Sequence, residues 1–369
     1  MENRAIPDKY HLKESEYGIT TGSVATAAAL AALLSIKGKV EYVEIETPLG
    51  EIDICVNVSE KLGTYSGRSS VIKYPYNDPD VTKNLEIFAE LILTSIPGVN
   101  IKGGTGIGVV TKPGLQVPVG EAAINPTPRQ MIISNLSKNL PDGMGADVVI
   151  SVPAGKELAK RTLNSRLGIV DGISILGTTG FARSMNLKSY KTSYRCQIDV
   201  AVAEGYTELV FVPGNIGEAI AKKILNVDDD QLIQMGNFVS YMLSEAEKEN
   251  VKKITLLGHA GKLIKISAGI FNTKHSVADG RREIIAVHSA LVGADEGVVN
   301  EIFQSNTTEE MIDILKKHSI VKNVFNSIAE RIKEICTDRF KIDFDVIIVN
   351  MEGQVLNNNY KSITIPNQE

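Results

Sequence analysis

Three glycine-rich segments follow stretches that have the composition of buried β-strands, and such positions often bind ligands. The segments are Gly177-Thr178-Thr179-Gly180, Gly214-Asn215 and Gly258-His259-Ala260-Gly261. In an open parallel sheet, ligands lie beyond the carboxyl ends of the strands. Glycine allows backbone N–H groups to come close to a ligand, and helix starts favour negative groups such as a carboxylate. One such segment alone is as typical of a tight turn, but three together predict a ligand site.

Two side chains near these segments have the chemistry of an acid, a base or an orienting group. His259 directly follows a predicted strand, and the alternative is a structural histidine whose ring is satisfied by the fold. Asp171 precedes a predicted strand, where it either orients a ligand or caps a turn. Asn272, His275 and Asp279 form a polar cluster between predicted helices, where core residues would normally be apolar.

The first half of the chain contains a fourth glycine-rich segment, "GGTGIG" at residues 103–108, with Gly104 and Gly106 at its centre. The residues after it are strand-like and broken by prolines, so a dinucleotide-binding loop is doubtful, and the G-K-[ST] of a P-loop is missing. A nest of N–H groups that contacts an anion remains open. One alternative function is therefore a small-molecule kinase or other phosphoryl transferase, in which Lys112 would contact phosphate.

The pattern of apolar residues predicts two domains that position these segments. Residues 1–155 contain a predicted helix starting at Thr20–Ser23, a hairpin turning at Pro48-Leu49-Gly50 and a strand followed by a helix from Asp80, which indicates an α+β domain with a partly antiparallel sheet. Residues 156–369 alternate β-branched runs with helices, which indicates a three-layer α/β domain with a mostly parallel sheet.

Composition excludes several classes of protein. The net charge of −5 and the isoelectric point near 5.7 give no general attraction to nucleic acid or to anionic membranes. The apolar stretch from Ile19 to Ile36 contains mostly alanine, which is a weak membrane anchor. The three cysteines have neither zinc-ligand nor disulfide-framework spacing. We expect a cytoplasmic protein that has no nucleic-acid or membrane partner. A homo-oligomer is compatible with the sequence.

Six blocks of the sequence resemble the CbiD family, the cobalt-precorrin-5B C1-methyltransferases of anaerobic cobalamin biosynthesis. They occur in the order "YGITTGSVATAAALAAL", "KGGTGIGVVTKPGLQVPVGEAAINPTPRQMI", "NSRLGIVDGISILGTTGFARSM", "VPGNIGE", "MGNFVSYML" and "LLGHAGKLIKISAGIFNTKHSVADGRRE". The resemblance covers residues from about 17 to 290. The family usually has a cysteine in the first block, as T-T-G-x-C-A, whereas this chain has Ser23-Val24-Ala25. Direct methyl transfer requires no nucleophilic cysteine there.

The resemblance implies S-adenosylmethionine as methyl donor and a cobalt corrinoid with many carboxylates as acceptor. From the positions of the predicted strand ends, we expect the first domain to face the corrinoid and the second to bind the donor at the glycine segments of Gly177, Gly214 and Gly258. His259 and Asp171 are the predicted catalytic residues. The cobalt arrives with the substrate, so no protein-bound metal is expected. A non-catalytic corrinoid-binding protein is a further alternative. Hydroxyl, amide, basic and glycine residues in loops are predicted to bind the acceptor: Thr20, Thr21, Gly104, Gly106, Lys112, Arg129, Lys262, Asn272 and His275.

Overall fold

A computed structural model of the chain describes residues 17–76, 80–183 and 187–361. The described residues up to Leu187 form one compact unit, and those from Lys188 onward form another. The boundary therefore lies after the 155/156 position that the change in sequence pattern indicates.

The first unit combines three helices with short antiparallel strands. Its helices are α1 (Thr21–Ser35), α2 (Pro126–Ser137) and α3 (Gly155–Ala159). Its strands are β1 (Tyr17–Ile19), β2 (Tyr42–Thr47), β3 (Gly50–Cys55), β4 (Val58–Gly63), β5 (Ser66–Ile72), β6 (Glu86–Thr94), β7 (Gly98–Gly103), β8 (Val109–Val110), β9 (Gly145–Ser151), β10 (Ile169–Val170) and β11 (Phe181–Arg183). The main sheet has the order β4-β5-β6-β9-β7, in which only the β7–β9 pair is parallel.

Helix α1 is the centre of this unit, and small residues allow its burial on every side. All of its residues except Leu34 are buried. Gly67 of β5 lies so close that a Cβ there would clash with the carbonyl oxygen of Ala32 and the hydroxyl of Ser35. Ser69 donates a hydrogen bond of 2.5 Å to the carbonyl oxygen of Ala28. The alanine-rich composition thus allows the helix to pack closely on the sheet, and the first unit is an α+β fold as predicted.

Two predictions for the first unit are wrong at the level of single elements. The segment predicted as a helix from Asp80 contains strand β6, in which Ile87, Ala89 and Leu91 are buried in alternation with more exposed neighbours. Its Leu, Ala and Glu residues favour a helix by propensity, but the two-residue period and the pairing with β5 and β9 decide the structure. In contrast to these two, the prediction of a hairpin that turns at Pro48-Leu49-Gly50 is confirmed: it joins β2 and β3.

The segment "GISILG" is not a strand of the parallel sheet. Ile173 forms a bridge with Ile107, and Ile175 forms one with Ile124, so this segment packs on the first unit. Strand β10 pairs with β8, and β11 pairs with β1. These long-range pairings attach residues 169–183 to partners between residues 17 and 124, and the boundary between the units therefore lies at 187 and not at 155.

The second unit is a parallel sheet between helices. Its helices are α4 (Leu187–Ala203), α5 (Asn215–Ile224), α6 (Val239–Lys248), α7 (Ala260–Leu263), α8 (Arg281–Leu291), α9 (Glu296–Gln304), α10 (Thr308–Lys317) and α11 (Val321–Arg339), with 3₁₀ turns at Asp229–Gln231 and Ile264–Ala268. Its strands are β12 (Glu208–Val212), β13 (Leu232–Gln234), β14 (Lys253–His259) and β15 (Asp343–Val349). The order is β13-β12-β14-β15, and every pair is parallel.

Alternate side chains of these strands enter two different cores. Phe211, Leu256 and Val346 pack with most of the helices on one face, whereas Val212 and Leu257 pack with α5 on the other. The sheet is therefore covered on both faces, which confirms the predicted three-layer arrangement. None of the helices within the described residues has the length and apolar character that crossing a membrane requires.

Candidate functional site

The start of α1 is bonded to the segment that contains Gly177-Thr178-Thr179-Gly180. The Thr20 hydroxyl accepts a hydrogen bond of 3.1 Å from the Ser23 N–H and so caps the helix. The Thr21 hydroxyl donates to the Leu176 carbonyl at 3.1 Å and accepts from the Leu176 N–H at 2.9 Å. The predicted substrate residues Thr20 and Thr21 are thus brought together with one predicted donor segment, and their hydroxyls connect distant parts of the first unit.

The glycines of this segment have a packing role. Gly177 has a φ of +137°, and a Cβ there would clash with the Thr20 side chain. Gly180 has a φ of +86° and lies against Thr47. Because "GTTG" belongs to the first unit, it is not part of the parallel sheet that carries the segments at Gly214 and Gly258. The prediction of three equivalent ends of parallel strands is therefore wrong for Gly177, and only the segments at Gly214 and Gly258 follow parallel strands.

The loop at residues 103–108 is also held by close backbone contacts. Gly106 has a φ of +74°, and a Cβ there would clash with the Val152 carbonyl oxygen. A Cβ on Gly155 or Gly172 would in turn clash with the Gly106 carbonyl oxygen, and one on Gly104 would clash with Ser151. The glycines thus allow three backbone segments to pack together, and the fold itself requires them. This removes the main support for the kinase alternative, which rests on the same loop.

Charged residues of the first unit that were predicted to act on substrate are engaged within the unit. Asp171, with a φ of +61°, forms an exposed ion pair of 2.8 Å with Lys156. Arg129 lies 3.4 Å from the Glu121 carboxylate. Lys112 is half-buried and packs along Gly168. The described contacts do not place these three residues around one cavity, and their proposed roles remain predictions.

In the second unit, β12 and β14 bring two of the predicted segments side by side. The two strands are neighbours, with Phe211 opposite Leu256, so the residues that follow them lie at the same edge of the sheet. Pro213 packs on Gly258, where a Cβ would lie 2.8 Å from its ring. Gly214 precedes α5 in an extended conformation, with a φ of 164°, and no heavy atom lies within 4 Å of the position a Cβ would take.

This pair of strand ends is a topological switch point. Numbered within the unit, the strands have the order 2-1-3-4, which is the order at the start of flavodoxin-like sheets. The connections to β13 and to β14 run through α5 and α6, which pack on opposite faces of the sheet. Ligands of doubly wound sheets bind in the crevice that such a reversal creates. The geometry therefore favours the ends of β12 and β14 as a small-molecule site.

His259 lies at this edge, but both of its ring nitrogens are bonded within the protein. Nδ1 accepts a hydrogen bond of 3.1 Å from the Gly261 N–H, which makes His259 the N-cap of α7. Nε2 therefore carries the proton and donates to the Glu309 carboxylate at 2.8 Å. These bonds favour an orienting role for the ring, and catalysis by His259 remains a prediction.

A cavity of about 440 Å³ lies beside the start of α7, and basic side chains dominate its lining. Lys262 and His275 were predicted from the sequence and line this cavity; Lys265, Lys274 and Arg281 also line it and were missed. Asn272 does not line it; its side-chain oxygen accepts from the Lys274 N–H at 3.2 Å. The sequence signal for this cavity is the density of basic residues over 262–282.

The described residues contain no group of three or more His, Cys, Asp or Glu side chains with metal-binding geometry. Asp279 is the carboxylate beside the cationic cavity. It accepts hydrogen bonds of 2.5 and 2.7 Å from the Arg281 guanidinium, and this lowers the pKa of the Asp279 carboxyl to about 2. It is therefore charged at neutral pH and cancels the charge of Arg281.

A doubly wound sheet with a switch point and a cationic cavity is typical of α/β enzymes that act on anionic small molecules. Comparison with known proteins makes the assignment specific. The family model described as CbiD matches residues 8–184, and the model of the CbiD C-terminal domain matches residues 272–359. The chain belongs to the CbiD family.

Several relatives match nearly the whole chain. A protein of Methanosphaera stadtmanae named cobalt-precorrin-5B C(1)-methyltransferase is 53% identical over 92% of this chain and 90% of its own length. A relative of the same name from Methanobrevibacter smithii is 50% identical over 94% of this chain and 98% of its own length. A crystal structure of the cobalamin biosynthesis protein CbiD from Archaeoglobus fulgidus is 31% identical, covers 71% of this chain and 83% of that chain, and superposes with a TM-score of 0.39.

Proposed function

We propose that this protein transfers a methyl group from S-adenosylmethionine to C1 of cobalt-precorrin-5B, which gives cobalt-precorrin-6A in anaerobic cobalamin biosynthesis. The observation that carries the proposal is the 53% identity, over 92% of the chain, to a relative named for this activity. The cobalt is part of the substrate, so the protein itself has to supply binding and alignment.

The chemistry is an in-line displacement at the methyl carbon. The ring carbon provides the electron pair for the new C–C bond, the C–S bond breaks, and its electron pair stays on sulfur in S-adenosylhomocysteine. The positive charge of the sulfonium is lost from sulfur as the reaction proceeds, so alignment and exclusion of water contribute most of the rate. This requirement agrees with a site in which His259 already has both ring nitrogens bonded.

The ends of β12 and β14 are the proposed donor site, and they include Gly214, Asn215, Gly258 and Gly261. Gly214 is the strongest of the four, because neither its φ nor any neighbouring atom explains why the residue is glycine. Close approach of the donor to its backbone is an explanation. Asn215 accepts a hydrogen bond of 2.6 Å from the Gln234 amide at the end of the adjacent strand, which fixes its side chain at the start of α5.

An anaerobic assay tests the reaction. Purified protein is incubated with cobalt-precorrin-5B and S-adenosylmethionine that carries a ¹³C-labelled methyl group, and the corrinoid is analysed by mass spectrometry. The expected result is a macrocycle that gains one labelled methyl group, together with an equal amount of S-adenosylhomocysteine. The ¹³C NMR spectrum of the product should assign the labelled methyl group to C1. A macrocycle of unchanged mass would refute the proposal. Tight corrinoid binding without donor binding would support the carrier alternative.

A further inference from the structure

The cavity beside α7, lined by Lys262, Lys265, Lys274 and Arg281, has a local excess of positive charge. Four cationic side chains line it, and the only described carboxylate paired with any of them within 4.0 Å is Asp279, which neutralises Arg281. The whole chain has a net charge of −5, so the excess is local and opposite in sign to the overall charge. An environment of this kind attracts an anionic ligand.

Lys265 is the most informative member, because its side chain is buried and has no carboxylate partner among the described residues. It is 2% exposed. Its ammonium donates hydrogen bonds to the carbonyl oxygens of Ala278 at 2.8 Å and Thr273 at 3.4 Å. An ammonium has three donors, so one N–H remains for a ligand in the cavity. Burial lowers the pKa of Lys265, and an anion at that position would stabilise its charged form.

Basic residues from two neighbouring segments line the same cavity. Lys265 lies in the 3₁₀ turn at Ile264–Ala268, whereas Lys274 lies in the segment whose carbonyl groups hold the Lys265 ammonium. Lys262 and Lys274 are exposed, so their ammonium groups can move onto a ligand at little cost. The volume of about 440 Å³ is in the range of small-molecule sites. It suits the carboxylate side chains of a large ring and not the ring itself.

We infer that this cavity binds acetate and propionate carboxylates on the periphery of the corrinoid, with Lys262 and Lys274 as direct contacts and Lys265 as the buried charge behind them. The inference rests on the proposed function for the identity of the acid. The cavity gives the second unit a substrate subsite of its own, in addition to the donor site at the ends of β12 and β14.

The test is a titration of the full chain with cobyrinic acid, a cobalt corrinoid with free carboxylates, and with its fully methyl-esterified form. The variant Lys262→Glu/Lys274→Glu reverses two cavity charges. Its matched control, Lys252→Glu/Lys341→Glu, makes the same change in net charge with exposed lysines one residue before β14 and two residues before β15, at the amino ends of the strands. Thermal denaturation checks that each variant remains folded.

For the cavity variant we expect the dissociation constant of cobyrinic acid to rise at least ~10-fold at low salt, because a single charge contact is worth about one power of ten. The control should stay within about twofold, and the ester should bind weakly to every form. Equal losses in both variants, no loss in the cavity variant, or no binding of cobyrinic acid by the unaltered protein would each overturn the inference.

The same variants separate this inference from the proposed reaction. If the unaltered protein methylates cobalt-precorrin-5B and the cavity variant keeps its KM, the subsite is refuted and the reaction stands. If the protein binds cobyrinic acid through the cavity but methylates nothing, the proposed reaction is refuted and the carboxylate subsite stands.

Discussion

Glycines in the two units have different physical explanations. In the first unit, Gly106 and Gly177 have positive φ angles. A Cβ on Gly106 would clash with the Val152 carbonyl oxygen, and one on Gly177 would clash with the Thr20 side chain. In the second unit, Gly214 has an extended backbone and faces open space. Glycines in segments that look equivalent in the sequence thus differ: packing requires Gly106 and Gly177 but leaves Gly214 unexplained. Gly258 of the second unit is explained by its contact with Pro213. A ligand site is better indicated by the unexplained glycine.

The largest effect that tests this comparison is on stability in the first unit. Gly106→Ala should lower the free energy of unfolding by more than about 3 kcal/mol, since a left-handed alanine costs about 1–2 kcal/mol and the clash with the Val152 carbonyl oxygen adds to it. Gly120→Ala is the control, because Gly120 has a φ of +89° but no atom within 4 Å of a Cβ. Urea denaturation measures the free energy of unfolding of both variants. Equal losses of stability in the two variants would mean that the close approach of the Val152 carbonyl oxygen to Gly106 contributes nothing.

The reason for Gly106 could not be read from the sequence, because it depends on segments about 45 and 65 residues away that approach its backbone. In contrast, β12, β14 and β15 were predictable from local runs of β-branched residues, and the β2–β3 hairpin from its Pro-Leu-Gly turn. Strand β6 was not, since its residues favour a helix and only pairing on both sides makes it a strand.

The candidate site was predictable only in part. Gly214 and Gly258 were found because ligands bind at the ends of parallel strands, and the structure places these ends side by side. Lys265 was missed because a lysine in "KLIKIS" resembles any lysine on the polar side of a helix. Its burial becomes visible only when the segment from Thr273 to Ala278 folds over it.

The second prediction concerns Gly214 itself. Gly214→Ala should raise the dissociation constant of S-adenosylhomocysteine about 10-fold, since a methyl group would prevent close approach of the donor. It should change the free energy of unfolding by less than about 1 kcal/mol, as for other changes at a helix N-cap. Gly38→Ala, also in open space, should change neither quantity. Isothermal titration calorimetry measures the dissociation constant of S-adenosylhomocysteine. If a folded Gly214→Ala protein binds it with unchanged affinity, Gly214 does not belong to the donor site.

The third prediction separates an orienting from a catalytic His259. If the ring acts as the N-cap of α7, His259→Asn should keep kcat within a few-fold, because asparagine also accepts from the Gly261 N–H. His259→Ala should lower the free energy of unfolding by about 1–2 kcal/mol through loss of the cap and of the bond to Glu309. A loss of kcat of about 100-fold or more in both folded variants would instead support general acid–base catalysis.

The smallest expected effect is a pH dependence at the cavity wall. The Arg281 guanidinium lowers the pKa of Asp279 to about 2, below the ordinary value of 3.8. A lowered carboxyl pKa stabilises the folded state fully above the ordinary value, and this contribution is lost as the pH falls through the folded-state value. The free-energy difference between the unaltered protein and Asp279→Asn should therefore shrink as the pH falls from about 4 toward 2.

Urea denaturation over a pH series measures this difference. The difference should remain small, because the Asp279 side chain is 42% exposed and solvent screens its interaction with Arg281. Asp171→Asn is the control, since it removes an exposed carboxylate that is paired with a lysine far from the cavity in sequence. A difference for Asp279→Asn that does not change between pH 5 and pH 3 would mean that the carboxylate does not hold Arg281 in the folded protein. In that case the charge of Arg281 would be available to a bound carboxylate, and the excess positive charge of the cavity would be larger by one.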